Sequence, residues 1–372
     1  MHRKTWMEID LDAVEANVRT AKERSGKKII AVVKADGYGL GDLAVANAAV
    51  TAGAEMLAVS SCDEAMILRN KGYRGDVLIL GHTDAEDLAR MIKQKIAVPA
   101  YSTLWVKNAI EAGCRGLRVH IKVDTGMNRI GFKDYAEIRQ AIHDLTEAGA
   151  EVEGIFTHFA CADTDPEFTK VQFERFRRAV EEADHSFRWI HCDNSEATLS
   201  FKDDLSNACR FGIGMYGISD TYKGLKHAVS LWSEIFLVKQ VPAGETIGYG
   251  ATYRTEEPEW IATMPIGYAD GLVRKNQGRT VYIDGEYAPI VGRVCMDQTM
   301  IKLSRPMAEG TKVELFGPHL SLEAMAEDLG TIPYEIICLI SERVTRIYTR
   351  NGTQVDEFNG RVIESKYSPE GQ

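Results

Sequence analysis

The sequence predicts a (β/α)8 barrel over residues 1–232 followed by a mostly β C-terminal domain over residues 233–372. Three observations carry that expectation: eight short apolar runs in the first 220 residues, amphipathic stretches between them, and a change of rhythm near residue 230. Continuous apolar runs with intervening helices indicate a parallel sheet covered on its outer face. Eight such units in about 215 residues suit a closed barrel better than an open doubly wound sheet, which would need one run to be misread.

In chain order the runs are KIIAVVK (28–34), EMLAVSS (55–61), DVLILGH (76–82), KIAVPAY (95–101), LRVHIKVD (117–124), EVEGIFTH (151–158), FRWIHCD (187–193) and ACRFGIG (208–214). Helix-like stretches lie at 42–53, 62–71, 84–94, 103–112, 134–149, 166–184 and 194–201. In 134–149, for example, Tyr135, Ile138 and Ile142 recur three and four apart, as one face of a helix requires. After about 230, LWSEIFLVKQV, EWIATMPIGY, TVYIDGEYAPIVGRVCMDQTMIKL and TKVELFG are strand-like and divided by Gly, Pro and Asp-Gly turns. A helix near 321–329 interrupts them, and the apolar runs EIICLI and RIYT follow. The opening strand-like TWMEIDL, within residues 1–10, is free to pair with the β domain instead of the barrel.

Composition narrows the function. The chain has 372 residues, 45% hydrophobic and 26% charged, with a formal net charge of −10. It contains no block of five or more Lys/Arg, so no nucleic-acid partner is expected, because phosphate binding needs clustered positive charge. Runs such as IIAVV and VLIL fall far short of the roughly 20 apolar residues of a membrane span. The opening MHRKTWMEIDLDA has basic residues but no apolar core behind them, so no export signal is expected. The seven cysteines are scattered, odd in number and never spaced as C-x-x-C, which argues against a disulfide framework or a metal cluster and for a cytoplasmic location.

A barrel of this kind carries its active site at the C-terminal ends of the strands. The first run ends in Lys34, followed by ADGYGLG with Tyr38. The fifth passes through Lys122 into DTGMNRIGF with Arg129, the sixth ends in His158, and the seventh in Asp193-Asn194-Ser195. The eighth carries Arg210, then Gly212 and Ile213. His191 and His82 also end runs, with no partner in the pattern, and read as structural. A strand-end lysine often only covers the sheet with its stem. Here it heads a glycine-containing loop, and a partly desolvated amine suits imine formation with an aldehyde. Gly212 and Ile213 can offer backbone N–H groups to a phosphate after the last strand, with the Ser195 hydroxyl beside them. A lysine and a phosphate pocket together suggest pyridoxal 5'-phosphate.

VVKADGYGLG, KVDTGMNRIGF, FTHFACAD, DNSEATL, RFGIGMYGI, GYGATYRT, MPIGYADG, VGRVCMDQTM and TIPYE, in this order and across nearly the whole chain, resemble the successive blocks of alanine racemases. The resemblance implies a pyridoxal-phosphate enzyme interconverting L- and D-alanine, with D-alanine feeding the cell wall, and a homodimer with two composite active sites. By the same resemblance Lys34 is the Schiff-base lysine and the base on one substrate face, and Tyr249 is the second base, reaching in from the partner subunit. Two bases are physically needed, because a planar carbanion must be reprotonated from the side opposite to deprotonation. His158 corresponds to the residue that hydrogen-bonds that tyrosine, and Arg210 to the one that holds the histidine and faces the cofactor's pyridine nitrogen. An arginine there cannot protonate the ring, which makes the cofactor a weaker electron sink and disfavours transamination.

Arg129 and Met296, with Asp297 beside them, resemble the groups around the substrate carboxylate. Lys122 matches a lysine often carbamylated in the family, an anion that orients Arg129. Tyr38, Asn194, Ser195, Gly212, Ile213 and Tyr334 resemble the cofactor-binding set, and Tyr268, Arg274, Arg293, Asp163 and Ile332 the corridor by which substrate arrives. One departure stands out: Leu40 occupies the place of the histidine in the family's Tyr-Gly-His-Gly, which puts hydrogen bonding around the phosphate loop in question. A serine or broad-specificity racemase is the nearest alternative, opposed by Tyr334, whose bulk narrows the pocket. A non-catalytic pyridoxal-phosphate carrier is opposed by the β domain and Tyr249. A metal-dependent hydrolase would want a His-x-His strand end, and a decarboxylase relative a carboxylate where Arg210 stands.

Overall fold

A computed structural model describes residues 3–360, which form two compact units. Among these residues, one takes in Asp12–Tyr38 and Asp42–His227; the other takes in Arg3–Leu11, Gly39–Gly41 and Ala228–Gly360.

The first unit is the barrel the apolar runs predict. After strand β1 (Thr5–Asp10), eight parallel strands close on themselves: β2 (Lys28–Val32), β3 (Ala54–Val59), β4 (Val77–Ile79), β5 (Ile96–Ala100), β6 (Arg118–Lys122), β7 (Glu151–Phe156), β8 (Trp189–His191) and β9 (Ala208–Phe211). β9 pairs back onto β2, Lys28 opposite Ala208 and Ala31 opposite Phe211. Helices begin where a short polar side chain caps the first turn. Ser61 accepts from the Glu64 N–H, Ser102 from Trp105, Asp165 from Phe168 ahead of Pro166, and Asn194 from Ala197. The expected helix at 84–94 is split into a 3-10 turn, Ala85–Asp87, and the helix Leu88–Gln94. Most barrel interiors are filled by branched aliphatic side chains. This one also buries His120, Lys122, His191 and Arg210.

The second unit is mostly β. Its large sheet follows the order Glu286–Pro289, Thr280–Ile283, Lys312–Phe316, Val229–Glu234, β1, Thr345–Arg350, Thr353–Phe358. β1 therefore lies between Val229–Glu234, antiparallel, and Thr345–Arg350, parallel. Two hairpins in this sheet turn on Asp284-Gly285 and Asn351-Gly352, each with both residues at positive φ, as the tight turn joining twisted strands requires. A smaller sheet of Leu237–Val241, Glu259–Met264 and Thr299–Leu303 lies over a core of Val241, Ile247, Ile261 and Val291. The run EIICLI is not a strand: it lies in the helix Pro333–Leu339, with Pro333 in the first turn, where its missing N–H costs nothing. The short segment Gly39–Gly41 belongs to this unit because Arg346 Nε donates to the Gly39 carbonyl at 2.8 Å and Tyr348 Oη to that of Leu40 at 2.9 Å. Leu40 itself is fully buried. Among the described residues no helix is long and apolar enough to cross a membrane.

Candidate active site

Lys34 leaves β2 at the C-terminal mouth of the barrel, and the chain then does something unusual. Ala35, Asp36, Gly37 and Tyr38 all take left-handed helical angles, with φ between 53° and 63°. Each non-glycine residue there costs about 1–2 kcal/mol, so the surroundings must over-determine the turn. The Glu64 carboxylate accepts from the Ala35 N–H at 2.8 Å and from Ser60 at 2.7 Å, and Asp36 accepts from Asp42 at 3.0 Å. The turn delivers the Tyr38 ring, edge-on to Tyr216 at 5.6 Å, to the end of β9.

There the loop after β9 makes a cradle. Ser195 Oγ accepts from the Gly212 N–H at 3.0 Å and the Gly214 N–H at 3.3 Å. A Cβ on Gly212 would lie 2.4 Å from Tyr38 Oη, so only glycine admits the tyrosine hydroxyl here. The Ser195 and Tyr38 hydroxyls lie beside these backbone N–H groups, donors of the kind a phosphate monoester wants, and Asn194, one residue before Ser195, caps the helix that positions it.

Arg210, 3% exposed, lies inside the barrel. NH1 donates to His191 Nδ1 at 2.8 Å and to the His191 carbonyl at 2.9 Å; NH2 donates to the carbonyls of Thr157 at 2.7 Å and Cys192 at 3.0 Å, and to His158 Nδ1 at 3.3 Å. Burial lowers the guanidinium to about 10, which leaves it charged at neutral pH. Burial, then the cations of Arg210, Arg129, Lys122 and Lys34, hold His158 neutral, well below the usual histidine range. With Nδ1 accepting, its proton sits on Nε2. Lys122 is 3% exposed, donates to the Val123 carbonyl at 2.8 Å and is lowered to about 7 by burial and by Arg210 and Arg129. Arg129 is exposed on the loop after β6, where Asp124 accepts from Gly126 and Asn128 at 3.1 and 2.9 Å. Asp163 is exposed on the loop after β7.

The structure thus gathers Lys34, Tyr38, Lys122, His158, Ser195, Arg210 and Gly212 at one barrel mouth. Ile213, buried, opens the 3-10 turn that follows Gly212 in the same unit, and the other expected residues belong to the β unit. Tyr249, 71% exposed, stands on a 3-10 turn over a depression of 660 Å3 that Phe236, Leu237, Cys295 and Met300 also line. Arg293 lies against Gly250, one residue on. Tyr268 and Met296 meet where the Tyr268 and Ala269 N–H groups donate to the Cys295 and Met296 carbonyls, both at 3.0 Å. Asp297 pairs with Arg343 at 2.6 Å, Arg274 is exposed on its own 3-10 turn, and Ile332 and Tyr334 open the helix Pro333–Leu339.

His191 and His82, which have no partner in the sequence pattern, are both partnered in the structure. His82 contacts Tyr101 Oη and Asp84, the latter at 2.8 Å. His191 joins Arg210 to His120. The signal was present in the run RVHIK, where Arg118, His120 and Lys122 alternate with apolar residues and so share one face of a strand.

Residues 9–220 match the family model for the alanine racemase N-terminal domain, and residues 228–348 that for the alanine racemase C-terminal domain. The chain is 44% identical to the alanine racemase of Halalkalibacterium halodurans and 43% to that of Anoxybacillus flavithermus, each over 96% of this chain and 98% of the relative. It is 40% identical to alanine racemase 1 of Bacillus subtilis over 96% of both chains. Among solved structures, alanine racemase from Bacillus anthracis with bound L-Ala-P superposes with a TM-score of 0.91 at 40% identity, covering 96% of this chain and 98% of that one.

Proposed function

The chain belongs to the alanine racemase family, a racemase by its relatives, and from that premise we propose that it interconverts L- and D-alanine with pyridoxal 5'-phosphate, using two bases contributed by two subunits. The observation that supports this best is the barrel mouth itself, where an amine, a phosphate-type donor cradle and a buried arginine converge. The residues present fit the cofactor. Gly212, Ile213, Ser195 and Tyr38 would hold its phosphate, Lys34 its aldehyde carbon, and Arg210 its pyridine nitrogen. When bound, pyridoxal 5'-phosphate withdraws electrons from the substrate's α-carbon and so acidifies the α-hydrogen.

Everything else is work for the side chains. Lys34 Nζ takes or returns the α-proton on one face, and Tyr249 of the partner subunit does so on the other. His158, neutral and protonated on Nε2, donates to that tyrosine's oxygen and stabilises the phenolate. Arg129 binds the substrate carboxylate, with the Met296 N–H beside it. Lys122, neutral in part at pH 7, adds CO2 to give a carbamate and one released proton, and the anion then faces Arg129 and Arg210. The test is a racemisation assay with L-alanine and L-serine in parallel, on protein loaded with pyridoxal 5'-phosphate. Alanine should turn over with the higher kcat/KM, and Lys34→Ala should abolish turnover while the fold survives by circular dichroism. Failure to racemise either amino acid defeats the proposal; equal use of serine replaces it with the broad-specificity reading.

A further inference from the structure

Below Arg210 a file of polar side chains continues down the inside of the barrel. His191 receives Arg210 NH1 on Nδ1, and its Nε2 lies 2.9 Å from Nδ1 of His120. Nε2 of His120 lies 3.4 Å from Oε1 of Glu153, within reach of the carboxylate's charge but without the geometry of a hydrogen bond. Arg118 clasps that carboxylate from the far side, Nε at 2.9 Å and NH2 at 3.2 Å, and is itself held by Asp76 at 2.8 Å. Both imidazoles are completely buried.

The two ends of this file dictate its protons. A guanidinium only donates and a carboxylate only accepts. His191 Nδ1 must therefore be bare and its proton on Nε2; His120 Nδ1 must accept that proton's hydrogen bond and carry its own proton on Nε2, toward Glu153. We propose that His120 and His191 form a one-way hydrogen-bond relay, oriented by the Glu153 carboxylate that His120 Nε2 faces, which holds the Arg210 guanidinium aimed and makes Glu153 and His120 positioning residues for a reaction neither of them reaches. The inference rests on the reading above only in taking Arg210 as the group that faces the cofactor ring.

The packing is built for the relay. A Cβ on Gly154 would come within 2.4 Å of His120 Nδ1, so the His120 ring occupies space that only glycine leaves. Phe156 stacks on His191, ring centres 4.8 Å apart and planes 8° from parallel. Burial, then Arg210, His120 and Lys122, keep His191 neutral; burial keeps His120 neutral against the pull of Glu153. Burial works against the Glu153 charge, but His120 and Arg118 outweigh it and hold the carboxyl low. Arg188 also lies 3.9 Å from Glu153. A reversed relay would put a proton on His191 Nδ1, pointing at the NH1 proton of Arg210. Glu153 as a carboxylate forbids that reversal, whereas an amide at the same position permits it.

The experiment uses the full chain with 15N-labelled histidine, first as purified and then loaded with pyridoxal 5'-phosphate. Imidazole nitrogen shifts should place the proton of both rings on Nε2 at pH 7 with neither ring cationic. A proton on Nδ1 of either ring, or a charged ring, overturns the relay. Glu153→Gln should then move the His191 nitrogen shifts and lower kcat for alanine roughly ten-fold with KM within about two-fold, the low end of the loss that follows removal of a partner that orients a functional group from behind. A purely structural role would lower the melting temperature and leave those shifts and kcat unchanged, which would defeat the proposal. Gly154→Ala, which displaces His120 and alters no charge, should reproduce the kcat loss and decides the matter if Glu153→Gln does not fold. An unmutated protein that racemises nothing would fell the proposed function and leave the nitrogen shifts standing.

Discussion

Lys122 shows how much one buried side chain can carry. Its amine is lowered from 10.5 to about 7, chiefly by burial and then by Arg210 and Arg129. Below pH 7 the folded and unfolded chains both hold the proton, and the folded chain bears the whole cost of burying the charge. Between about 7 and 10.5 the unfolded chain keeps a proton that the folded chain has released, so this residue makes stability rise with pH across that window. Lys122→Met retains the stem and removes the titration. It should be more stable than the parent at pH 6, by up to about 5 kcal/mol at ~1.4 kcal/mol per pH unit, with the advantage shrinking through pH 9. Denaturant unfolding at the two pH values in CO2-free buffer measures this; an equal gap at both would mean the amine is not held near 7. The sequence exposes Lys122 as a strand-end residue but not its burial, because a lysine at that position reaches water as readily as it turns inward. His120 is the opposite case: its place in an alternating strand was legible, and its meaning needed the ring-to-ring contact with His191, 71 residues away.

At the scale of elements, apolar runs bounded by capping residues announced nearly the whole barrel, since each needs only its own few residues to be recognised. The left-handed turn Ala35–Tyr38 gave no such notice. KADGY reads as an ordinary loop, and its conformation is held by Glu64, 29 residues away from Ala35, and by the Asp36 carboxylate accepting from Asp42. EIICLI was misleading for a related reason, because a short apolar run has no periodicity of its own and Pro333 decides for helix. The turn makes a sharp prediction at Ala35, whose side chain is exposed and whose φ is 53°. A substitution at an exposed site ordinarily changes stability by less than about 0.5 kcal/mol. Here Ala35→Gly should be at least as stable as the parent, and Ala35→Val less stable by about 1–2 kcal/mol, because a β-branched residue is a severe outlier at positive φ. Thermal unfolding of the pair gives the order, and a Val variant as stable as the Gly variant would show the turn relaxes.

For the whole molecule, the question is what covers Tyr249. That tyrosine is 71% exposed, and Phe236 and Leu237, which line the same depression, are 41% and 40% exposed, a cluster of large apolar side chains of the kind that marks a protein interface. A second copy of the chain would cover such a surface and bring each Tyr249 to the other copy's Lys34, so that a dimer has two sites and each site draws on both chains. Lys34→Ala and Tyr249→Phe should then each be inactive alone, in the first case for want of the amine and in the second for want of the opposite-face base. Mixed after unfolding and refolding together, they should recover activity. Random pairing makes about half the dimers mixed. Each mixed dimer has one site with both defects and one with none, so the mixture should reach about a quarter of the parent's kcat per site. Both purified variants must keep the parent's dimer mass by light scattering for the comparison to count. A mixture as inactive as its components would place Lys34 and Tyr249 of each site on the same chain, and would remove the dimer from the mechanism.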